Sequence, residues 1–523
     1  MTETQPQRSG RSGGRAARVA ARAAGPTEDE RAVRPGFSGG AYKPLTDNEC
    51  KQVYETALNL LEDLGMGTPV PEFIDVVTAA GGHVDSDGRL HFPRAVVEHA
   101  ISTAAKKFTW HGLDDEKSIE VGGDAVYFGT AGAAVSIYEH QTRTHRHSML
   151  QDIYDIARLV DTCEHIHFHV RTVVARDMIE APELDLNTAY ALAMGTTKPI
   201  GTSFFQPEHV YEAVDMWDEM LGGKPGSFAE RPFCVANNTF VVPPLRYAED
   251  AAHSMVAQVR AGVPINLLSA GQAGATSPAA LAGSLAQALA ECLAALTCVN
   301  LLKPGHPCVM GLWPFVSDLR TGAMTGGSGE EAVLSAAAAQ VANWLGLPSG
   351  TAAGMSDSKM PDNQAGHEKG LTVALAGHAG ANLVYESAGM LASLLACSYE
   401  AIVIDNDMLG AINRTLRGIE ITPETLSAEV IANVVHGPSH FLGQDQTLSM
   451  MQSEYVYPEV GDRASSNDWN DAGSKSVDET AREKVAEILS SHYPNHINPQ
   501  VDAAVRARFD IRLPQEALNP QSP

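Results

Sequence analysis

The sequence predicts an α/β fold, a (β/α)8 barrel with an N-terminal α+β extension and a C-terminal, mostly helical extension. The main observation is a repeat, in which short runs rich in β-branched and aromatic residues alternate with segments of helical length. Most runs begin roughly 32 to 43 residues after the one before, which suits one strand plus one helix, and only the last interval is 19. The runs begin near residues 166, 199, 232, 264, 307, 348, 382 and 401.

The segments between the runs have the start and stop signals of helices. Several open with Pro or an acidic residue and close near Gly. Examples are 207–221, 246–261, 277–302, 329–345 and 367–379. The competing fold is an open doubly wound sheet, but its phosphate-binding G-x-G-x-x-G after the first strand is missing. Residues 326–329 are Gly-rich, follow no strand and are interpreted as a flexible loop.

Composition shifts along the chain predict four regions. Residues 1–36, with Arg among Gly, Ser and Ala, are expected to be a disordered basic tail, and 37–160 an α+β region that packs on the barrel. A helix should start in that region at Thr46, because Thr46 and Glu49 have the spacing of a capping box. The barrel is predicted over 161–436, and the C-terminal extension with its helices over 437–523.

Composition also excludes several classes of protein. The 523 residues include 44% hydrophobic ones, enough for a large core. A net charge of −26 disfavours nucleic-acid binding, which needs clustered Lys and Arg. No uninterrupted apolar stretch approaches the ~20 residues that span a bilayer, so no membrane partner is expected. Seven scattered cysteines, an odd number, favour reduced thiols and a cytoplasmic protein. We also expect a homo-oligomer.

Candidate site residues follow from one rule, that barrels of this type place their active sites at the carboxyl ends of the strands. The first strand is expected to end near Arg176 and Asp177. Two acids, Asp357 and Glu386, are the candidate catalytic residues. The candidate substrate-binding residues are Phe204, Phe205, Gln206, Asn237, Gln272, Trp313, Phe315, Ser356, Lys359, Tyr385, Asp405 and Asp407. This set is aromatic and anionic with few cations, which suits a quaternary ammonium group held by cation–π contacts.

The histidines suggest an alternative, a metal-dependent barrel hydrolase. His165, His167 and His169 alternate on one strand. In this alternative His167, His169 and Asp405 would together bind the metal ion. The later strands lack the Lys and His residues that complete such binuclear sites, and a metal site needs three or more supported ligands. We therefore predict no metal site.

Several segments together resemble the trimethylamine methyltransferase family. Residues 354–359, followed by Asp362, Gln364 and Glu368-Lys369, look like its sixth-strand signature, and 385–390 fits its next strand. The C-terminal signature is matched by His440 to Gly443, Thr447-Leu448, Tyr457-Pro458, Asp462-Arg463 and Trp469. The resemblance covers roughly residues 40–510 and implies a (β/α)8 fold. It also implies transfer of a methyl group from an amine to the cobalt of a separate corrinoid protein.

One departure from that family changes the expected substrate. The archetype carries pyrrolysine, whereas this chain has only standard residues. A tertiary amine needs activation before it can lose a methyl group, but a quaternary amine departs as a neutral amine. The resemblance therefore implies a quaternary amine substrate, with glycine betaine as the leading case. A non-catalytic betaine-binding barrel is a further alternative.

The corrinoid is expected on a partner protein. Corrinoid modules usually present a D-x-H-x-x-G motif, and here Pro438 occupies the Asp position two residues before His440. No tightly bound cofactor is therefore expected, and the methyl acceptor would be cob(I)alamin carried by a corrinoid protein that docks over the barrel mouth.

Overall fold

In the computed structural model, which describes residues 31–437 and 439–518, eight parallel strands close into a barrel with a helix after each strand. The strands are β1 (Ala125–Thr130), β2 (Phe168–Val170), β3 (Ile200–Thr202), β4 (Cys234–Ala236), β5 (Ile265–Ser269), β6 (Cys308–Leu312), β7 (Ser349–Ala352) and β8 (Leu383–Tyr385). The helices are α1 (Leu150–Thr162), α2 (Ala181–Gly195), α3 (Pro207–Met220), α4 (Glu249–Ala261), α5 (Leu281–Leu302), α6 (Gly329–Trp344), α7 (Asn363–His378) and α8 (Tyr399–Arg417). The predicted (β/α)8 fold is confirmed.

The barrel closes through β1, which pairs in parallel with the last strand and with the second. Leu383 of β8 lies opposite Tyr127, and Gly129 lies opposite Phe168 of β2. The predicted barrel start at residue 161 is therefore too late, because β1 lies within the region 37–160. The alternating pattern of residues 125–128 by itself indicates a strand, but nothing in it shows that this strand belongs to the barrel.

The strand predicted near residue 401 is wrong. Residues 401–407 lie in α8, whose buried positions include Ile402, Asp405 and Leu409, three and four residues apart. A short apolar run such as 401–404 fits a buried strand and a buried helix equally well. The sequence did carry a signal against a strand at residue 401. The interval of 19 residues after the preceding run is too short to hold both a strand and a helix.

The chain before β1 forms helices and two hairpins. Thr46 caps the first helix as predicted, since the Glu49 N–H donates to its hydroxyl at 3.3 Å and its own N–H donates to the Glu49 carboxylate at 2.7 Å. The elements are Phe37–Ser38, helix Asp47–Asn59 with the π-helical turn Leu60–Leu64, helix Pro71–Ala79, strands His83–Val84 and Leu90–His91, helix Arg94–Thr103, and strands Lys107–Trp110 and Ile119–Gly122 around the 3-10 turn Asp115–Lys117.

The second hairpin, residues 107–122, covers the amino-terminal end of the barrel strands. The Trp110 indole N–H donates to the carbonyl of Phe233, directly before β4, at 3.1 Å. The Asp114 N–H donates at 3.0 Å to the carbonyl of Thr197, shortly before β3. This end of the barrel is therefore closed, and access to the interior is from the carboxyl ends of the strands.

Short elements in the loops extend the barrel. Strands Ser136–Glu139, Thr144–His147, Met390–Leu391 and Ala396–Cys397 form one sheet, strands Gln272–Ala273, Phe315–Ser317 and Met324–Thr325 form another, and helix Ser227–Glu230 precedes β4. After α8 the helices are Ala428–Val435, Asp445–Met450, Ser466–Asp471, Val477–Ser491, Pro499–Arg508 and Gln515–Leu518.

The described chain divides into two compact units. One comprises residues 31–34 and 417–457 without 438, and contains an Arg417–Glu454 ion pair at 2.7 Å. The other comprises residues 35–416 and 458–518, and in it the Arg158 guanidinium of α1 donates to the carbonyls of Leu489 and His492 at 2.8 Å each. Most of the predicted basic tail, residues 1–30, lies outside the described residues.

Helix α5 is the most apolar element. By length and composition it alone, among the described helices, passes the test for a membrane span, and 89% of its most apolar window is buried within the protein. It packs between the barrel, at β5 and β6, and the N-terminal helices. Its apolar character therefore matches its place in the core. All seven cysteines are buried free thiols.

Candidate active site at the barrel mouth

A cavity of about 390 Å³ opens at the carboxyl ends of the barrel strands, and we call it the mouth cavity. Residues that follow seven of the eight strands line it, so the barrel brings together side chains that are far apart in sequence. The polar and aromatic lining residues are Arg171 after β2, Ser203 after β3, Asn237, Asn238 and Thr239 after β4, Trp313 and Phe315 after β6, and Glu386 and Ser393 after β8.

Two of the predicted aromatic residues, Trp313 and Phe315, line the mouth cavity with ring centroids 6.3 Å apart. Tyr385 lies beneath them, with its centroid 5.2 Å from that of Trp313 and 5.2 Å from that of Phe168. Phe168 in turn lies 5.1 Å from Trp110 of the closing hairpin. An unbroken column of rings therefore fills the barrel below the cavity and makes its floor rigid and apolar.

Among the described residues, Glu386 is the one acid that lines the mouth cavity. It follows β8 directly, has a φ of +62°, and is 1% exposed. Residues other than Gly seldom adopt this left-handed conformation, so packing must hold the carboxyl group where it is. Its Oε2 is buried without a hydrogen-bond partner in the described chain. Burial raises the pKa of Glu386 to about 8, although Lys369 nearby opposes the shift.

Arg171 is the basic residue of the cavity, and the sequence analysis missed it. It follows β2 directly, because this strand ends at Val170, before the predicted end near Arg176. Its Nη2 donates to the Ser203 hydroxyl at 3.3 Å, and its Nε is buried without an acceptor among the described residues. Burial lowers the pKa of Arg171, and Asp185 partly opposes that effect. An Arg within the apolar run 166–174 was the available signal.

Asp357 and Lys359 lie in a neighbouring groove of about 830 Å³, not in the mouth cavity. The Asp357 carboxylate accepts hydrogen bonds from the Gly326 N–H at 2.8 Å and from the Ser393 hydroxyl at 2.6 Å. It therefore ties together two loops beside the mouth. The exposed Lys359 ammonium donates to the carbonyl of Asp357 at 2.6 Å.

The residues predicted after β3 lie outside the mouth cavity. Phe204 is buried against Trp217, with ring centroids 6.2 Å apart, and Phe205 is 52% exposed. Gln206 is exposed and directly precedes the first residue of α3, without a capping hydrogen bond from its side chain. The strand ends at Thr202, so Ser203 is the residue that reaches the cavity. The predicted position was close, but the exact end of a short strand decides which side chain faces inward.

Two further predicted residues have structural contacts instead of a place in the cavity lining. Gln272 accepts a hydrogen bond from the Ser317 hydroxyl at 3.2 Å within the three-stranded loop sheet. The buried Ser356 hydroxyl donates to the Glu368 carboxylate at 2.7 Å. Asn237, in contrast, lines the mouth cavity as predicted.

Asp405 and Asp407 are not at a strand end, because the segment that carries them is helical. Asp405 forms a buried ion pair with Lys369 at 2.5 Å and accepts the Gly389 N–H at 2.8 Å. Asp407 accepts backbone N–H groups of residues 459–461 at 2.7 to 2.9 Å. Both carboxylates anchor the outer layer of the barrel, and neither lines the mouth cavity.

The histidine strand does not assemble the alternative metal site. The Nδ1 of His167 accepts the Phe128 N–H at 3.0 Å, and the Nδ1 of His169 bonds the Thr130 hydroxyl at 2.7 Å. Burial lowers the pKa of His169 to about 3 and that of His167 well below its ordinary value, so both rings are neutral. The third ligand of that hypothesis, Asp405, is paired on α8 instead. Within residues 31–437 and 439–518 no group of three His, Cys, Asp or Glu residues is arranged to hold a metal ion.

Comparisons with known proteins add to this geometry. The family profile described as Trimethylamine methyltransferase (MTTB) matches residues 11–515. Glycine betaine methyltransferase of Desulfitobacterium hafniense (strain Y51) is 29% identical over 467 residues, which cover 89% of this chain and 96% of that protein. Trimethylamine methyltransferase MttB2 of Methanosarcina mazei is 33% identical over 481 residues, covering 90% and 94%. Among solved structures, Methanosarcina barkeri monomethylamine methyltransferase (MtmB) has a TM-score of 0.48 at 11% identity, covering 88% and 90%.

Proposed function

Because the chain belongs to the trimethylamine methyltransferase family and is a methyltransferase, we propose that it moves a methyl group from a quaternary amine to the Co(I) of a corrinoid on a partner protein. The observation that carries the choice of substrate is the mouth cavity, in which Trp313 and Phe315 lie beside the unpaired carboxyl group of Glu386. Aromatic faces and a carboxylate attract a quaternary ammonium group by its charge, without a hydrogen bond, since its nitrogen has no N–H to donate.

The reaction is an in-line displacement at a methyl carbon. The C–N bond breaks with its electron pair going to nitrogen, and the Co(I) of the partner corrinoid supplies the pair for the new bond to the methyl group. The leaving group is a neutral tertiary amine, so no acid is needed to protonate it. The chain's own residues then act by holding the cation in one orientation against the rigid floor of the mouth cavity. Glu386, once ionised, stabilises the positive charge of the bound substrate.

The surface around the mouth supports docking of a partner. Large apolar side chains with exposed fractions of 38 to 87% occur in the loops that follow six of the eight strands. Exposed apolar side chains at one end of a barrel offer surface for contact with another protein. We call this surface the apolar rim, and it consists of Val135, Ile179, Phe205, Val242, Leu319 and Leu395. A corrinoid protein seated there would bring its cobalt to the end of the barrel at which the mouth cavity opens.

Glycine betaine is the leading substrate in this proposal. A glycine betaine methyltransferase is among the similar proteins. This chain contains no pyrrolysine, and the proposed reaction needs none. The seven free thiols support a cytoplasmic location as part of the same proposal.

A spectroscopic screen tests the function. Purified protein is mixed with cob(I)alamin and one quaternary amine at a time, and the formation of methylcobalamin is recorded. We expect methylation with at least one quaternary amine and none with trimethylamine. Binding of a quaternary amine with no methyl transfer, either to free cob(I)alamin or to a corrinoid protein, would indicate a non-catalytic binding barrel. No binding of any quaternary amine would contradict the proposal.

A further inference from the structure

Arg171 is a buried cation without a counter-ion among the described residues. It is 8% exposed, and its only hydrogen bond to a side chain of the described protein is the 3.3 Å contact with Ser203. Within residues 31–437 and 439–518, no carboxylate oxygen comes within 4 Å of its guanidinium group. The nearby Asp185 is already used, because it accepts from the His209 ring at 2.6 Å and from the Phe205 N–H at 2.8 Å.

A buried guanidinium group without a partner lowers the stability of the fold unless a ligand supplies the missing hydrogen-bond acceptors. A buried charge that is neither paired nor fully hydrogen-bonded destabilises the folded protein. The planar guanidinium group matches a carboxylate, which it can bind through two parallel hydrogen bonds. Since Arg171 lines the mouth cavity, an anionic group of a molecule in that cavity can supply the missing acceptors.

The barrel places this cation across the mouth from the aromatic residues. Arg171 follows β2, whereas Trp313 and Phe315 follow β6, and these strands are four positions apart in a closed ring of eight. Glu386, after β8, is two positions from Arg171 in the ring. The cavity is therefore polarised, with a basic side at β2 and an aromatic and acidic side from β6 to β8.

We propose that Arg171 binds the carboxylate of a zwitterionic quaternary amine while the ammonium group lies against Trp313 and Phe315. This inference rests on the proposed function and adds to it a residue that determines specificity for the carboxylate. In this inference the anion that pairs with Arg171 belongs to the substrate and not to the corrinoid. The zwitterion must therefore bind even when no corrinoid is present.

Calorimetric binding tests this with two ligands and no corrinoid present. Choline matches glycine betaine in its ammonium group but has an alcohol in place of the carboxylate. The wild-type protein is expected to bind glycine betaine at least about 10-fold more tightly than choline, and R171Q is expected to remove that preference. R171K, which keeps the charge but not the planar fork, should retain part of it. R260Q, which changes an exposed Arg on α4, is the matched control and should bind like the wild type.

The outcomes separate this inference from the function on which it rests. A preference that is unchanged in R171Q, or wild-type protein that binds choline as tightly as glycine betaine, would overturn the role of Arg171 and leave methyl transfer from quaternary amines standing. Wild-type protein that neither binds nor demethylates any quaternary amine would contradict the proposed function itself. If circular dichroism shows that R171Q does not fold, the test uses R171K instead. A preference of R171K for glycine betaine over choline that equals the wild-type preference would then overturn the inference.

Discussion

Binding of a quaternary amine is expected to expel a proton from Glu386. With a pKa of about 8 in the free protein, about nine in ten Glu386 side chains are protonated at pH 7. A cation in the mouth cavity favours the ionised carboxylate, so binding and protonation compete. At pH 7 we expect the release of up to about 0.9 proton per ligand bound, and a Kd that falls by up to about tenfold per pH unit between pH 6 and 8.

The same shift predicts the pH dependence of folding. The pKa of Glu386 rises from 4.5, its ordinary value, to about 8 in the folded protein. Its contribution to stability is therefore fully present below pH 4.5 and is lost as the pH rises through 8. Between these two values the Glu386 carboxyl group ionises in the unfolded chain but stays protonated in the folded protein. A difference of about 3.5 pH units corresponds to an upper limit of about 5 kcal/mol. Glu386→Gln should remove this loss.

Calorimetry in buffers of different ionisation enthalpy measures the released proton, and chemical denaturation at pH 5 and pH 9 measures the stability. Glu291→Gln is the matched control, since Glu291 is also a buried acid with a raised pKa but does not line the mouth cavity. It should alter the pH dependence of stability and leave the proton release intact. The reasoning would be refuted by ligand binding that releases no proton in the wild type, or by equal release in the wild type and Glu386→Gln.

Three further outcomes follow from the contacts described above. Trp313→Leu keeps an apolar side chain but removes the aromatic face, so it should weaken quaternary amine binding by about 0.5–2 kcal/mol in the same calorimetric assay, and unchanged affinity would remove the ring from the site. Asp405→Asn leaves Lys369 buried and unpaired, so denaturation should show a loss of about 3–5 kcal/mol with unchanged ligand affinity; a loss of affinity at full stability would return this residue to the site. Ile179→Asp in the apolar rim should slow methyl transfer to a corrinoid protein but not to free cob(I)alamin, whereas Leu371→Asp on the outer face of α7 should slow neither, and equal rates with both acceptors in Ile179→Asp would refute docking at the rim.

Most of the barrel could be predicted from the sequence because seven of its strands are short apolar runs bounded by helices of ordinary length. The last run, at residue 401, misled because four consecutive apolar residues have no period, and the burial of Asp405 depends on a partner, Lys369, that local sequence does not reveal. The true first strand, β1, was recognised as a strand but not as part of the barrel, since its partners lie far along the chain.

The candidate site was predictable in part, for a related reason. Trp313, Phe315, Asn237 and Glu386 were found because they directly follow strands whose ends the sequence marks well. Arg171 was missed because the apolar run that contains it continues beyond the end of β2, and hydrophobicity does not show where pairing stops. Asp357 follows its strand as predicted, but its loop folds back to bond Gly326 and Ser393, a tertiary contact that spacing does not encode.

The pairing of β1 with β8 also governs when the chain can fold during synthesis. The strand that contains Tyr127 leaves the ribosome early, but its partner at Leu383 is about 250 residues later, so the barrel cannot close until most of the protein has been made. Until then, β1 and the newest strand are both open sheet edges, which readily pair with other chains. A nascent chain interrupted before residue 383 keeps these two edges. It also lacks Tyr385, so Phe168 and Trp313 are left without the ring that packs between them. The completed eighth strand is therefore what protects the translated chain from aggregation.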